Sequence, residues 1–346
     1  MEAHNQFLKT FKQERHDMKE AEKDEILLME NRRRFVMFPI KYHEIWAAYK
    51  KMEASFWTSE EIELAKDSED FKQLTDDQKV YIGNLLALSI SSDNIVNKNL
   101  IENFSAQLQN PEGKSFYGFQ IMMENIYAEV YSMMVDAFFE DPKNIPLFKE
   151  VATLPEVKEK ATYVQKWIFN EDSLYAERLV AFAAKEGIFQ AGNYASMFWL
   201  TNKKIMPGMA MANKNICRDR GAYTDFSCLL FAHLRTKPNV KITERIITEA
   251  VEIEKKYYSN SLPVEKFGID LKSIHTYIEF VADGLLLGFG NEKYYNASNP
   301  FEFMEGVATA GKTTFFEKKV SDYQKASDVS KSAAPVSKDI NFDDDF

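Results

Sequence analysis

Cysteine is rare in this chain, which carries only Cys217 and Cys228 among its 346 residues. The two lie 11 positions apart in one predicted helix. At a helical rise of about 1.5 Å per residue, that spacing is too long for a disulfide. We therefore expect two buried, reduced thiols, which are typical of a cytoplasmic or nuclear protein.

Glycine and proline are also scarce, at 13 and 10 residues, whereas phenylalanine and tyrosine number 27 and 16. So few turn-forming residues, with a hydrophobic content of 45%, favour long helices around a large core over a turn-rich β fold. The expected fold class is all-α. Apolar periodicity predicts helices near 41–54, 59–66, 76–104, 115–140, 146–152, 157–169, 172–186, 187–202, 207–235, 241–259 and 271–289.

The chain also lacks a basic excess and a long apolar run. Its net charge of -10 argues against a nucleic-acid-binding surface. No stretch reaches about 18 consecutive apolar residues, and the N-terminus is charged throughout, so we expect neither a transmembrane span nor a secretory signal. The one dense basic patch, Arg32-Arg33-Arg34, is interpreted as a solvated surface or an inter-subunit salt-bridge cluster.

Composition divides the chain into three segments: a charged arm at 1–30, a helical domain at 31–323 and a tail at 324–346. The arm is expected to pack on a partner, to fray, or to form a solvated helix. The tail is small and polar and cannot bury enough apolar area to order alone. Its end pairs acids with two aromatic residues, which favours a peptide that docks in a groove over a merely solubilising tail. That end is Phe342, Asp343, Asp344, Asp345 and Phe346.

Four predicted helices each carry polar residues among apolar neighbours. Asp93 and Glu186 are single carboxylates, and a third helix has Glu124 with Tyr127 three positions later. A ferritin-like di-metal bundle takes one lone carboxylate from each of two helices and a Glu-x-x-His pair from each of the other two. The sequence therefore has the scaffold of such a site, with tyrosine in place of one histidine.

The fourth helix departs further, because Arg220-x-x-Tyr223 replaces the second Glu-x-x-His. Arginine has no lone pair to donate and stays protonated, so Arg220 repels a metal ion. We expect it to pair with one or two of Asp93, Glu124 and Glu186. Three carboxylates against one guanidinium leave excess negative charge, which predicts a raised pKa or solvent access for at least one acid.

Longer segments carry a family resemblance. SSDNIVNKNLIENFS, FYGFQIMMENIYAEVYSMM, VAFAAKEGIF and GKTTFFEKKVSDYQ resemble the small (R2) subunit of class I ribonucleotide reductase, and the likeness runs from about residue 32 to the terminus. It implies a ferritin-like R2-type helical bundle whose tail docks on the large subunit. The positions it assigns are metal ligands at Asp93, Glu124 and Glu186, replaced ligands at Tyr127, Arg220 and Tyr223, the radical tyrosine at Tyr131, and the radical-transfer route at Trp57, Asp219 and Tyr323.

The resemblance also shows departures beyond the ligands. Gln190 and Tyr194 stand where the family has two phenylalanines that keep the radical tyrosine dry. Tyr127 replaces the metal-bound histidine at the end of the transfer route, so that last link is expected to be missing. Tyr131 is therefore expected to be an ordinary core tyrosine.

These departures resemble those of non-catalytic small subunits, which implies a chain without cofactor or redox chemistry of its own. It would form a heterodimer with a catalytic small subunit that holds the diiron-tyrosyl radical, or a homodimer when alone. The large subunit would bind its tail, and no nucleic acid or membrane would be a partner. Two alternatives stay open: a metal-free radical at Tyr131, and a ferritin-like binding or storage protein.

Overall fold

The chain folds into α-helices, as its scarcity of glycine and proline predicts. The computed structural model describes residues 13, 15–30, 34, 36–139, 153–262 and 264–304, and the side chains of 91–101, 201–202 and 266–267 lie outside that description. No strand occurs among the described residues. Across this same part of the chain, no helix is long and apolar enough to cross a membrane.

Ten helices are labelled here in chain order. They are α1 His43–Glu53, α2 Ala65–Gln73, α3 Asp76–Asn99, α4 Pro111–Phe138, α5 Pro155–Trp167, α6 Tyr175–Asn202, α7 Pro207–His233, α8 Val240–Asn260, α9 Val264–Phe267 and α10 Leu271–Gly288. A 3₁₀ turn spans Ser59–Glu61, and a π-helical segment, Leu100–Ser105, continues α3.

Helix α6 lies at the centre of the molecule. It packs against α5, α7, α8 and α10, and Leu179, Phe182 and Ile188 along it are fully buried. The apolar residues of α6 thus face neighbouring helices on several sides, as is typical of a central helix. Helix α3 packs on α4, and both α4 and α6 pack on α7, so the polar residues of these helices can meet inside the bundle.

Two helix predictions are wrong. The helices expected at 172–186 and 187–202 are one continuous helix, Tyr175–Asn202, because an isolated glycine, here Gly187, is tolerated inside a well-packed helix. The helix expected at 59–66 is instead the 3₁₀ turn followed by α2, which begins at Ala65. The segment predicted at 146–152 lies outside the described residues.

The start of α7 is held by a residue from another helix. Asp67 of α2 accepts hydrogen bonds from Gly208 N at 2.8 Å and Met209 N at 2.6 Å. These are first-turn amides that the helix itself cannot satisfy. A Cβ at position 208 would lie 2.1 Å from Glu63 O, so the close approach requires glycine. This contact fixes the helix that carries Asp219, Arg220 and Tyr223.

The described part of the N-terminal arm packs on its own chain. Arg15 Nη2 lies 2.6 Å from Glu177 Oε2, and Lys19 Nζ donates to Ser173 O at 2.9 Å. Arg34, expected at a solvated surface or between subunits, instead binds the buried Glu112 through both terminal nitrogens at 2.7 and 2.8 Å. The carboxylate provides the reason, because its helix position is buried and a bidentate guanidinium satisfies both oxygens.

A candidate functional site in the polar core of four helices

The candidate site lies between α3, α4, α6 and α7. Helical periodicity places residues three or four positions apart on one face. Tyr127 and Tyr131 thus share a face of α4, Gln190 and Tyr194 share a face of α6, and Arg220 and Tyr223 share a face of α7. Asp93 belongs to α3, and its side chain is outside the described part of the structure.

Arg220 is the central cation of this core, and its side chain is 1% exposed. Its Nη2 lies 3.0 Å from Glu124 Oε2, and its Nη1 donates to Glu186 Oε2. The guanidinium carbon also sits 5.5 Å from the centroid of the Tyr127 ring. The predicted pairing of Arg220 with two of the family-type carboxylates is therefore present in the structure.

Lys185 is a second buried cation, which the sequence analysis missed. Its Nζ lies 2.8 Å from Glu186 Oε1, so Glu186 is bound on both oxygens by cations. Burial opposes ionisation of this carboxyl, yet Lys185 and Arg220 together lower its pKa below the ordinary value. Glu186 is therefore not an acid with the raised pKa that was predicted for at least one of the three carboxyls. A lysine inside the apolar run LVAFAAKEGIF was the available signal.

A hydrogen-bonded chain of side chains adjoins this cation. Trp57 Nε1 donates to Asp219 Oδ2 at 2.8 Å, and Tyr127 OH donates to the same oxygen at 3.0 Å. Tyr127 and Tyr223 share a hydrogen bond between their hydroxyls at 2.7 Å. The Trp57 and Tyr127 rings also stack, with centroids 5.9 Å apart. Asp219 thus accepts from a phenol at the position where the resemblance implies a metal-bound histidine.

Electrostatics keeps the phenols of Tyr127 and Tyr223 protonated. Burial raises the pKa of Tyr127 and of Tyr223 well above the ordinary value, and neighbouring acids raise both further. Burial also raises the pKa of Asp219, although Arg218, whose Nη2 lies 2.8 Å from Asp219 Oδ1, opposes that shift. Phenols of this kind act as hydrogen-bond partners and do not supply phenolate oxygens.

Gln190 and Tyr194, the two positions predicted to border Tyr131, are both buried. Gln190 is 2% exposed, and its Oε1 accepts a hydrogen bond from Asn193 Nδ2 at 3.3 Å. Tyr194 is also buried, and it lies close enough to Tyr131 for the two phenols to interact electrostatically. Its hydroxyl has no hydrogen-bond partner among the described residues. Both positions thus carry buried polar side chains where the resemblance implies phenylalanine.

The remaining predicted positions lie outside the described residues. Tyr323 of the expected transfer route belongs to them, as does the docking peptide. The members of that peptide are Phe342, Asp343, Asp344, Asp345 and Phe346.

Comparison with known proteins assigns the family. A family model described as "Ribonucleotide reductase, small chain" matches residues 34–300. The chain belongs to this family. The ribonucleoside-diphosphate reductase small chain 2 of Saccharomyces cerevisiae is 89% identical to it over 346 residues, which cover 100% of both chains. Small chain 1 of the same yeast is 52% identical over 347 residues, which cover 100% of this chain and 87% of the relative.

A solved structure supports the fold of this small chain. A ribonucleotide reductase homodimer from Saccharomyces cerevisiae superposes with a TM-score of 0.84 at 87% sequence identity, covering 93% of this chain and 99% of that one. A ribonucleotide reductase R2 subunit from Clostridium botulinum, at 21% identity, has the same fold with a TM-score of 0.70. The predicted all-α, ferritin-like R2-type architecture is confirmed.

The small-chain family implies a di-iron group, and the described side chains of this core do not fit one. Iron sites of this kind need carboxylate oxygens and imidazole nitrogens. Here a buried guanidinium binds the carboxylates of Glu124 and Glu186, and protonated phenols occupy two further positions. No group of three or more His, Cys, Asp or Glu side chains arranged to hold a metal ion occurs among the described residues.

Proposed function

We propose that this small chain is a non-catalytic subunit of ribonucleoside-diphosphate reductase, the enzyme complex that makes deoxyribonucleotides. One observation carries the proposal: Arg220 is buried between Glu124 and Glu186 and binds both. A fixed cation there neutralises the carboxylates that would otherwise hold iron. The chain then has no cofactor of its own, and Tyr131 is a core tyrosine.

The proposed role follows from what the molecule keeps. The fold of the family and the buried contacts of Trp57 and Asp219 are present, while the ligand set is replaced. Such a chain can present a small-subunit surface without loading metal. We infer that it pairs with a catalytic small subunit and supports the folding, iron loading and tyrosyl-radical formation of that subunit.

The tail supplies the second half of the proposal. Its final residues combine three acids with two phenylalanines, a pattern suited to a peptide that orders in a groove. We propose that it docks on the large subunit and helps the complex assemble. When the catalytic partner is lacking, the chain would form a homodimer, which the homodimer formed by the 87% identical yeast protein supports.

Reconstitution tests this role. Purified catalytic small subunit is supplied with ferrous iron and oxygen, with and without one equivalent of this chain, and tyrosyl radical per catalytic chain is measured by electron paramagnetic resonance. We expect the radical yield to rise when this chain is added. A variant lacking 342–346 is the matched control, because it should preserve the radical yield while lowering ribonucleotide reduction with the large subunit. An unchanged radical yield with the full chain would contradict the proposal.

A further inference from the structure

The N-terminal arm contacts the ends of three helices that carry the polar core. Its residues 15–22 are helical. In the turn that follows, the side chains of Glu25 and Leu27 are 2% and 1% exposed, although most of their neighbours in the arm are exposed. We call residues 15–28 the strap.

The helical part of the strap binds the start of α6. Arg15 and Glu22 lie two helical turns apart and so share a face. Arg15 Nη2 donates to Glu177 Oε2 at 2.6 Å. Glu22 Oε1 accepts from Tyr175 N, a first-turn amide that the helix itself cannot satisfy, and the helix dipole favours a carboxylate at that end. The strap thus caps the helix that carries Glu186.

The rest of the strap binds two more helix ends. Glu25 Oε2 accepts from Arg235 N at 2.9 Å and from Thr236 N at 3.1 Å, just after α7 ends. Leu27 O accepts from Gln109 N at 2.8 Å, two residues before α4 begins. The Leu27 side chain belongs to the hydrophobic core. Opening of the strap would therefore remove an apolar side chain from that core as well as three sets of hydrogen bonds.

These contacts close one end of the helix bundle. Glu124, Glu186 and Arg220 each lie 11–13 positions from the helix end that the strap contacts. At about 1.5 Å per residue, the polar core is about 17–20 Å from those ends along each helix. The strap therefore holds together, from outside, the helices that meet in the polar core.

No one of these contacts can order the strap alone. Fixing the backbone of each residue costs conformational entropy, whereas a single hydrogen bond or partly exposed ion pair contributes little net stabilisation. The contacts are distributed along the strap, so they offset that cost only when they form together. Several use charged side chains near the surface, which salt screens. These properties favour two states of the strap, closed and open.

We propose that residues 15–28 act as a releasable strap, which closes and opens as one unit over the start of α6, the end of α7 and the residues before α4. When the strap opens, α6 loses a cap and Leu27 leaves the core. The strap thereby links the order of the N-terminal arm to the order of three helices of the polar core. The proposal does not depend on the proposed function of this small chain.

Hydrogen–deuterium exchange of the full-length chain, followed by mass spectrometry, tests whether the strap opens as one unit. Glu25→Met removes the contact with the end of α7, and Arg15→Met removes a contact with the start of α6. Lys23→Met is the matched control, because Lys23 lies in the same segment but pairs with Glu20 at the surface, with side chains 68% and 54% exposed. Amides of 278–286 in α10 serve as an internal reference.

Each variant should speed exchange at both helix ends. We expect amides 174–178 and 235–236 to exchange about tenfold faster or more in Glu25→Met and also in Arg15→Met, because local opening exposes them together. Raising the salt concentration from about 0.05 to 0.5 M should have the same effect on the wild type, because it screens the charged contacts. Lys23→Met should exchange as the wild type does.

Two results overturn the proposal. In the first, each variant speeds exchange at its own contact alone, which shows that the contacts are independent. In the second, neither variant changes exchange at 174–178 or at 235–236, which shows that the strap does not hold these ends. Circular dichroism monitors the fold. If Glu25→Met fails to fold, Arg15→Met decides the matter, since the Arg15 side chain is 23% exposed.

Discussion

The single guanidinium of Arg220 compensates negative charge that metal ions would compensate in a carboxylate core. Arg220 neutralises charge on Glu124 and Glu186 by fixed hydrogen bonds, and its planar group holds two carboxylates in a defined geometry. A buried carboxylate without such a partner is costly because it has lost its hydration. The arginine thus supplies the buried carboxylates of Glu124 and Glu186 with a cationic partner.

Removing that guanidinium should destabilise the chain strongly. Arg220→Met should lower the free energy of unfolding by about 3–5 kcal/mol, because it breaks a buried ion pair and leaves its acids under-compensated. Lys50→Met is the control: Lys50 pairs with Glu53 on α1, and the two side chains are 49% and 42% exposed, so the expected loss is about 1 kcal/mol or less. Urea denaturation measures both free energies of unfolding. Equal losses would show that the buried ion pairs of Arg220 contribute no more stability than an exposed pair.

At the residue scale, the sequence predicts that Arg220 pairs with acids. It does not predict which side chains meet across the core. The replaced ligand types predict that Arg220 pairs with acids, and it does. The contribution of Lys185 and the contact between Tyr127 and Tyr223 depend on how each helix is rotated about its axis. Sequence spacing fixes which residues share a face, but it leaves open which faces meet across the core.

At the element scale, a second buried ion pair joins two helices outside the candidate site. Lys160 of α5 lies 2.5 Å from Glu254 of α8, with side chains 9% and 0% exposed. Burial raises the pKa of Glu254 to about 7 and lowers that of Lys160, since both charges lose hydration. The Lys160 ammonium also sits 4.2 Å from the Tyr257 ring centroid. Each charge is therefore tolerated only because the other is present.

A double-mutant cycle tests this mutual dependence. Lys160→Met or Glu254→Leu alone should cost about 3–5 kcal/mol of unfolding free energy, because each leaves one buried charge unpaired. The double variant should cost less than either single change, since no buried charge remains. Thermal or urea unfolding of the four proteins gives the coupling energy. Additive losses would mean that the two side chains act independently.

Local signals account for the helix starts unevenly. Helix α10 begins at Leu271, as predicted, after an Asp270 cap. Helix α4 begins at Pro111 and not at the predicted 115, although Asn110 caps it by accepting from Gly113 N at 2.7 Å and such caps are visible in sequence. Helix α7 begins at Pro207, as predicted, but no local pattern predicts that Asp67 caps it from another helix.

At the scale of the whole molecule, the chain has the small-chain fold, but the residues at its metal-ligand positions are replaced. The small-chain fold and the buried contact between Trp57 and Asp219 remain. Arg220, Lys185 and two phenols fill the space between the carboxylates. The fold could be predicted because long apolar helices dictate it, whereas the position of the tail and of the partner subunit depends on other chains.

The central claim is that this polar core is self-neutralised and takes no iron. It is tested most directly by iron analysis of the purified chain after incubation with ferrous iron and oxygen, with electron paramagnetic resonance on the same sample. The account predicts no stoichiometric iron and no tyrosyl radical in the chain alone. One or more tightly bound iron ions per chain, or a radical on Tyr131, would contradict it.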